Sequence, residues 1–254
     1  MRQQRTLRQE IGCAGVGLHS GARVAVTFRP AAEGSGVRFR RVDRPGTGAI
    51  AAHPANVVAT GEATALAGPA GIAVQGVERL AAALAICQID NALVEVSGPE
   101  LPAMDGSARP FVLLMECAGT AEQDLPAAEL EVLRPVEVVA GPASARLEPA
   151  VELEIEAQPA AAPGPFRLTL SCERGRNELM AAPAGDARRA VLDALGTLAL
   201  VPARIRGRYV ERAAGPSLRC ALIRALLTEA GNYRLLGAGP RAWAEPGPAL
   251  ARAG

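Results

Sequence analysis

The amino-acid sequence predicts an α+β protein in which one structural unit occurs twice, with the helices of both units packed together between two sheets. Three patterns lead to this prediction. Apolar and polar residues alternate over short stretches, as in half-buried strands, and apolar residues recur at helical spacing in four longer stretches. The order strands, helix, strand, helix is found in the first half and again in the second. Since each helix and each sheet must bury one apolar face, two such units are expected to cover each other.

The first half, residues 1–120, begins with strands. Residues 24–29 and 37–40 alternate between apolar and polar side chains, so both stretches are predicted to be strands with one buried face. A helix is predicted at about 75–87, because its apolar residues fall on one face at helical spacing. A further strand is predicted over 92–97.

A second helix is predicted to complete this half. The turn-forming run Gly98-Pro99-Glu100-Leu101-Pro102 leads to Ser107, whose hydroxyl is suited to cap a helix N-terminus. The helix should then stop at Gly119, because glycine readily adopts the conformation that ends a helix. Residues 120–129 show no clear periodicity and are interpreted as a linker.

The second half, residues 129–237, repeats this order. Its predicted elements are strands at 151–156 and 166–170, a helix at 187–200, a strand at 204–211 and a last helix that ends before Gly231. Residues 238–254 are rich in Gly, Pro and Ala and are predicted to be a flexible tail. The sequence therefore indicates two domains followed by a tail.

Composition excludes several classes of protein. A chain of 254 residues with 49% hydrophobic residues can bury a substantial core, so disorder of the whole chain is excluded. Its 27 basic residues, all arginine, face 26 acidic ones, and a net charge of +1 gives no field that would gather nucleic acid. No apolar run follows Met1-Arg2-Gln3-Gln4-Arg5, so neither a signal peptide nor a membrane span is expected and the predicted location is the cytoplasm.

The five cysteines lie far apart and form no Cys-x-x-Cys pair. This distribution favours buried thiols in a reducing compartment over disulfides or a zinc knuckle. The cysteines are Cys13, Cys87, Cys117, Cys172 and Cys220.

Several motifs in the first 120 residues resemble the UDP-3-O-acyl-N-acetylglucosamine deacetylases, the zinc amidases of lipid A synthesis. The most specific is the long Pro-Glu-Leu-Pro-Ala-Met-Asp-Gly-Ser string at 99–107, which is too rare to be explained by chance. The other matching motifs are Gln4-Arg5-Thr6-Leu7, Gly15-Val16-Gly17-Leu18-His19-Ser20-Gly21, Arg29-Pro30-Ala31, Gly36-Val37, Arg40-Arg41, Val77-Glu78-Arg79-Leu80, Ala82-Ala83-Leu84, Ile89-Asp90-Asn91 and Pro110-Phe111. After residue 120 the resemblance is thin.

The resemblance implies two facing β-α-α-β domains with a catalytic zinc between their helices. It implies that Glu78 stands at the position of the general base. The next residue in the family is a histidine ligand, but here it is Arg79, which has no lone pair to give a metal. The family's His-Lys-x-x-Asp stretch corresponds to Arg189-Ala190-Val191-Leu192-Asp193, so Asp193 is the only retained ligand position, and Ala190 replaces the lysine.

Two further parts of the family's site are missing from this sequence. The general acid histidine corresponds to Pro216, which cannot donate a proton. The chain is also shorter than the family between Ser171 and Arg188, the region that carries the catalytic threonine and the acyl-chain passage. The only histidines are His19, which resembles a structural position, and His53, in a predicted loop.

We expect the arginines at the replaced positions to compensate for the missing cation. Arg79 and Arg189 could pair with Glu78 and Asp193 across the vacated site, and Arg189 is four residues from Asp193 on the predicted helix. Two alternatives remain open: the arginines could point into water, or they could bind an anion such as the diphosphate of a UDP-sugar or an acyl carboxylate.

Together these replacements favour a catalytically inactive homologue, a pseudoenzyme of the zinc-dependent deacetylases with a ligand-binding or regulatory role related to lipid A biosynthesis. The alternative is an active zinc-dependent deacetylase with an altered metal site. No cofactor is expected, since the zinc ligands of the family are not retained. The expected ligands are a UDP-sugar or an acyl compound, and the expected protein partner is an enzyme of the lipid A pathway.

Overall fold

A computed structural model describes residues 2–60, 63–162, 164–170 and 185–237 of the chain. Within these residues the helices are α1 (Glu78–Ile86), α2 (Arg109–Ala118), α3 (Asp186–Leu198) and α4 (Pro216–Thr228). The strands are β1 (Gln3–Leu7), β2 (Ile11–Val16), β3 (Arg23–Pro30), β4 (Val37–Arg41), β5 (Ala49–Ala51), β6 (Val57–Thr60), β7 (Ala63–Ala67), β8 (Ala73–Gln75), β9 (Ala92–Val96), β10 (Thr120–Pro126), β11 (Glu129–Val132), β12 (Val136–Ala140), β13 (Ala143–Glu148), β14 (Leu153–Gln158), β15 (Phe166–Thr169), β16 (Arg204–Arg212) and β17 (Tyr233–Leu236).

The two halves contain the same arrangement of strands, which confirms the predicted α+β duplication. In the first half the sheet order is β2-β3-β9-β4-β5, and β4 runs parallel to β9 while the other neighbours are antiparallel. In the second half β12, β13, β16, β14 and β15 are joined in the same order, with β14 parallel to β16. The central strand lies between two helices in sequence in both halves, β9 between α1 and α2 and β16 between α3 and α4.

Helices α1 and α3 pack against each other where the two halves meet. The apolar residues of α1 are almost fully buried, and its run Ala81-Ala82-Ala83 keeps the helix thin. At Gly196 on α3, a Cβ atom would lie only 2.1 Å from the carbonyl oxygen of Glu78. Because only glycine allows so close an approach of two backbones, Gly196 sets the distance between these helices.

Strand β10 corrects the interpretation of residues 120–129 as a linker. Its residues pair antiparallel with β1, from Leu7 opposite Thr120 to Gln3 opposite Pro126. This strand was not predicted because its side chains are exposed or only partly buried, so no apolar alternation marks it. This pairing supports extending the first domain to Pro126; the domain limits 1–120 and 129–237 stay a prediction.

The predicted N-cap of α2 is also wrong by one residue. Ala108 occupies the N-cap position, and no side chain caps the helix there. The Ser107 hydroxyl instead accepts a hydrogen bond from the backbone N–H of Arg109 (3.2 Å) and donates one to Asp105 Oδ1 (2.7 Å). The predicted end at Gly119 is confirmed, since this residue has φ 67° and follows the last helical residue.

Cys13, Cys117 and Cys220 are free thiols, and Cys87 is partly buried. Cys220 is buried, but Cys117 is exposed, so the prediction of buried thiols fails at that position. Cys172 and the predicted tail at 238–254 lie outside the described residues. In the part of the chain that the structure describes, every helix is too short or too polar to cross a membrane.

Candidate functional site

Glu78 lies at the first position of α1, beside the close contact with α3. Its side chain is 2% exposed, and Oε1 accepts a short hydrogen bond from the backbone N–H of Thr64. Oε2 is buried and has no hydrogen-bond partner among the described residues. Burying a carboxylate oxygen without a donor costs folding free energy. This atom therefore either destabilises the fold or is available to bind a donor or a cation.

Arg79 spans the interface between the two halves. Its Nε donates a hydrogen bond to the carbonyl oxygen of Gly106 (2.9 Å), and its Nη2 lies 3.4 Å from Oδ1 of Asp193 on α3. The side chains of Arg79 and Asp193 are 23% and 20% exposed. The contact is an ion pair without hydrogen-bond geometry, because Oδ1 has no hydrogen-bond partner among the described residues. The guanidinium thus connects α1, the loop before α2 and α3.

The electrostatic surroundings of Asp193 explain an unusual pKa. Burial raises the pKa of this carboxyl to about 6, and the negative charges of Glu78 and Glu211 act in the same direction. The positive charges of Arg79 and Arg219 oppose the rise without cancelling it. Asp193 is therefore ionised at neutral pH only at a cost in folding free energy.

The other replaced positions do not join this pair. Arg189 is exposed and makes no ion pair with Asp193 or Glu78, so its predicted contact with Asp193 does not form. Ala190 packs at the edge of the core, and Pro216 is the first residue of α4. Of the predicted arginine and carboxylate pairs, the structure brings together only Arg79 and Asp193.

A buried network that the sequence analysis missed lies next to Asp193. Arg219 on α4 donates to both oxygens of Glu211 at 2.8 and 2.7 Å, and the Tyr209 hydroxyl donates to Glu211 Oε2 at 2.5 Å. These residues are 6%, 2% and 1% exposed, respectively. Burial and the charge of Glu211 raise the pKa of Tyr209, whereas for Arg219 the bonds to Glu211 outweigh burial and raise its pKa.

The sequence did contain a signal for this network. Every second residue of β16 is buried, namely Ile205, Gly207, Tyr209 and Glu211. Glu211 therefore lies on the buried face of the strand. An acidic residue on that face requires a cationic partner, and Arg219 stands among the apolar residues that follow.

The two histidines do not contribute to the site. The backbone N–H of His19 donates to the carboxylate of Glu100 at 3.0 and 3.2 Å, and His53 caps a short 3₁₀ helix by accepting a hydrogen bond from the N–H of Ala55 (3.2 Å). Burial lowers the pKa of His53.

The side chains at the candidate site do not fit zinc. A hydrolytic zinc site requires about three nitrogen, oxygen or sulfur ligands and an open position. Among the described residues, no three His, Cys, Asp or Glu side chains come together in a way that could hold a metal ion. Asp193, the carboxylate predicted to stand at a ligand position, faces the guanidinium of Arg79.

The duplicated sheets with paired helices between them define a two-domain α+β protein of the deacetylase type that the motifs suggested. The sequence profile described as UDP-3-O-acyl N-acetylglycosamine deacetylase matches residues 4–183. The chain belongs to this family.

Individual relatives agree with this assignment. The chain is similar to proteins named UDP-3-O-acyl-N-acetylglucosamine deacetylase from Methylococcus capsulatus (47% identical; 59% of this chain and 49% of the relative are covered) and Phenylobacterium zucineum (44%; 60% and 52%). The protein of that name from Myxococcus xanthus is 48% identical, with 60% and 48% covered. The chain spans about half the length of the curated relatives it matches.

Proposed function

We propose that this chain is a catalytically silent homologue of the UDP-3-O-acyl-N-acetylglucosamine deacetylases, with a ligand-binding or regulatory role related to lipid A biosynthesis. The observation that carries the proposal is the ion pair between Arg79 and Asp193. It places a fixed cation where the family's resemblance implies a ligand histidine, and it engages the one carboxylate that would still be a ligand. The charge of a metal is thereby replaced by the charge of a side chain.

The remaining parts of the site support the same proposal. Glu78 keeps the position of the general base, but Oε1 is committed to the N–H of Thr64. Pro216 offers no proton at the position of the general acid. Loss of one positioned acid or base costs roughly 10²–10⁴ in rate, and here an acid and metal ligands are replaced together.

An active zinc-dependent deacetylase with an altered site is the second candidate. It is favoured by one specific observation: Glu78 Oε2 and Asp193 Oδ1 are both buried without a hydrogen-bond donor among the described residues. Carboxylate oxygens are possible zinc ligands, and the charge of Glu78 acts on Asp193. The Arg79 guanidinium would then have to leave Asp193 when a metal binds.

Metal analysis and a hydrolysis assay decide between the two. After dialysis against a buffer that contains zinc, the purified protein should hold no stoichiometric zinc. It should also not deacetylate UDP-3-O-acyl-N-acetylglucosamine, with the Methylococcus capsulatus relative as the positive control. Stoichiometric zinc together with turnover would establish the second candidate. The double substitution Arg79→His and Arg189→His, which replaces both arginines by the residue that the family has, should increase zinc affinity if the loss of ligands is the cause.

The role of the silent protein has two forms that a titration separates. Ligand binding is supported if UDP or an acylated UDP-sugar binds saturably and Arg79→Ala weakens this binding. A substitution at a distant exposed arginine such as Arg23 should leave the binding unchanged. Absence of binding supports regulation through a protein partner, for which an enzyme of the lipid A pathway is the candidate. The cytoplasmic location belongs to this proposal and is tested by fractionation of the cells that produce the protein.

A further inference from the structure

A cavity of about 130 Å³ lies between the two halves at the C-terminal ends of α1 and α3. Its wall is mostly apolar and includes Phe39, Leu84 and Ile89 from the first half and Leu198, Val201 and Ile205 from the second. The cavity residues nearest to the candidate site are Ala81 on α1 and Leu195 on α3, and neither Arg79 nor Asp193 lines the cavity. Ala81 is two residues beyond Arg79 and Leu195 is two residues beyond Asp193, which is about 200° around each helix, so the lining residues lie on a different helix face. The cavity is therefore separate from the site around Arg79 and Asp193.

The charged residues of the wall are Arg2, Asp90 and Arg204. Arg2 donates to both oxygens of Asp90 at 2.7 and 2.6 Å, and Asp90 also accepts from the backbone N–H of Arg5 at 2.7 Å. This pair is neutral as a whole. Arg204 donates from Nη2 to the carbonyl oxygen of Leu170 (3.2 Å) and has no carboxylate partner among the described residues. The wall thus carries one positive charge without a counter-ion.

We propose that this cavity binds an aliphatic carboxylate, with its hydrocarbon chain between α1 and α3 and its carboxylate hydrogen-bonded to Arg204. A guanidinium presents its N–H groups in a fork that matches the two oxygens of a carboxylate. A cation beside an apolar surface is also stabilised by an anion, because burial without a partner is costly. The proposal is independent of whether the chain hydrolyses anything.

The volume sets the size of the ligand. A dry cavity of about 150 Å³ lined by aliphatic and aromatic side chains accommodates benzene, which has six carbons. A cavity slightly smaller than this encloses about six carbons of an aliphatic chain at most. Octanoate, whose chain is long enough to fill the cavity, is the probe, octan-1-ol is the matched compound without the charge, and acetate is the matched compound without the chain.

Methyl NMR of protein labelled at isoleucine tests the site directly. Titration with octanoate should shift the methyl signals of Ile89 and Ile205 in a saturable way, while Ile11 and Ile223, which do not line the cavity, stay unchanged. Octanoate should bind at least tenfold more tightly than octan-1-ol, and acetate should cause no comparable shift. The proposal is overturned if the lining isoleucines do not respond, if all four respond alike, or if octanol binds as tightly as octanoate.

Substitution of the arginine provides a second test. Arg204→Gln keeps a donor for the carbonyl of Leu170 but removes the charge, so it should weaken octanoate binding at least tenfold and leave octan-1-ol binding unchanged. Arg206→Gln is the matched control, because Arg206 lies on the same strand, outside the cavity wall. Equal effects of the two substitutions would refute a role for Arg204. If Arg204→Gln fails to fold, the comparison of octanoate with octan-1-ol on the unaltered protein decides alone.

Discussion

Replacing Arg79 by alanine removes a side chain that connects α1, the Gly106 loop and Asp193. The substitution leaves the Asp193 carboxylate without its cation and the Gly106 carbonyl without its donor at 2.9 Å. Exposed ion pairs contribute about 0–1 kcal/mol, and breaking a fully buried pair costs about 3–5 kcal/mol. Since both side chains are about one-fifth exposed, we expect a loss of about 1–3 kcal/mol.

The loss should depend on pH, and its direction follows from the pKa of Asp193. Burial raises this pKa from 3.8 to about 6, so the folded protein keeps a proton that the unfolded chain releases. Stability therefore falls as pH rises from about 4 to about 6. Without Arg79 the pKa rises further, and the carboxylate has no partner once it ionises. The difference between the unaltered protein and the variant should thus be small at pH 5 and full at pH 8.

Thermal unfolding at the two pH values measures this difference. For a chain of this length, 1 kcal/mol corresponds to about 2–4 °C, so a loss of about 1–3 kcal/mol should lower the Tm of Arg79→Ala by about 2–12 °C at pH 8. Arg189→Ala is the matched control, because this arginine is exposed, was predicted to be the other replaced ligand and does not pair with Asp193. An unchanged Tm at pH 8, or equal effects of the two substitutions, would show that the Arg79 side chain has no role in stability.

Three further substitutions test the surroundings of the ion pair. Asp193→Asn removes the ionisation that the fold disfavours, so its stability relative to the unaltered protein should increase from pH 4 to pH 8. For a pKa raised by about two units the increase is about 3 kcal/mol. If denaturant unfolding gives the same difference across this range, the prediction is wrong. Gly196→Ala should lower the Tm, because the new Cβ would lie 2.1 Å from a backbone carbonyl oxygen, and the expected loss is about 1–3 kcal/mol. Gly164→Ala is the control and should leave the Tm unchanged, because a Cβ there meets nothing within 4 Å. Arg219→Ala leaves the buried Glu211 unpaired and should cost about 3–5 kcal/mol in urea unfolding, and a loss below 1 kcal/mol would show that water reaches this carboxylate.

Most elements could be predicted from the sequence because they bury one face. The apolar spacing in α1 and the alternation in β16 are direct consequences of packing against the core, and the structure confirms both elements. Strand β10 had no such pattern, since its side chains remain largely accessible and its stability comes from backbone pairing with β1. Backbone pairing leaves no trace in the sequence of an exposed strand.

The sequence analysis named both residues of the Arg79–Asp193 pair, but helical spacing indicated a different pair. Spacing on one helix made Arg189 a neighbour of Asp193, and the structure instead pairs Asp193 with Arg79 from another helix. The local prediction failed because Arg189 is exposed, whereas Arg79 lies at the interface. Contacts between helices depend on how closely they pack, and helical spacing alone does not contain that distance.

The close packing at Gly196 links the fold to the ion pair of Arg79 and Asp193. It brings the N-terminal turn of α1 against α3, and the charge of Glu78 makes ionisation of Asp193 less favourable. In an enzyme of this family a divalent cation would offset that repulsion. Here Arg79 and the nearby Arg219 are the positive charges that act on Asp193, and its pKa of about 6 shows that they offset the cost only in part. In the proposed function these side-chain cations take the place of a removable metal ion, and the pH dependence of Arg79→Ala tests how strongly the stability of the fold depends on the pairing of Asp193 with Arg79.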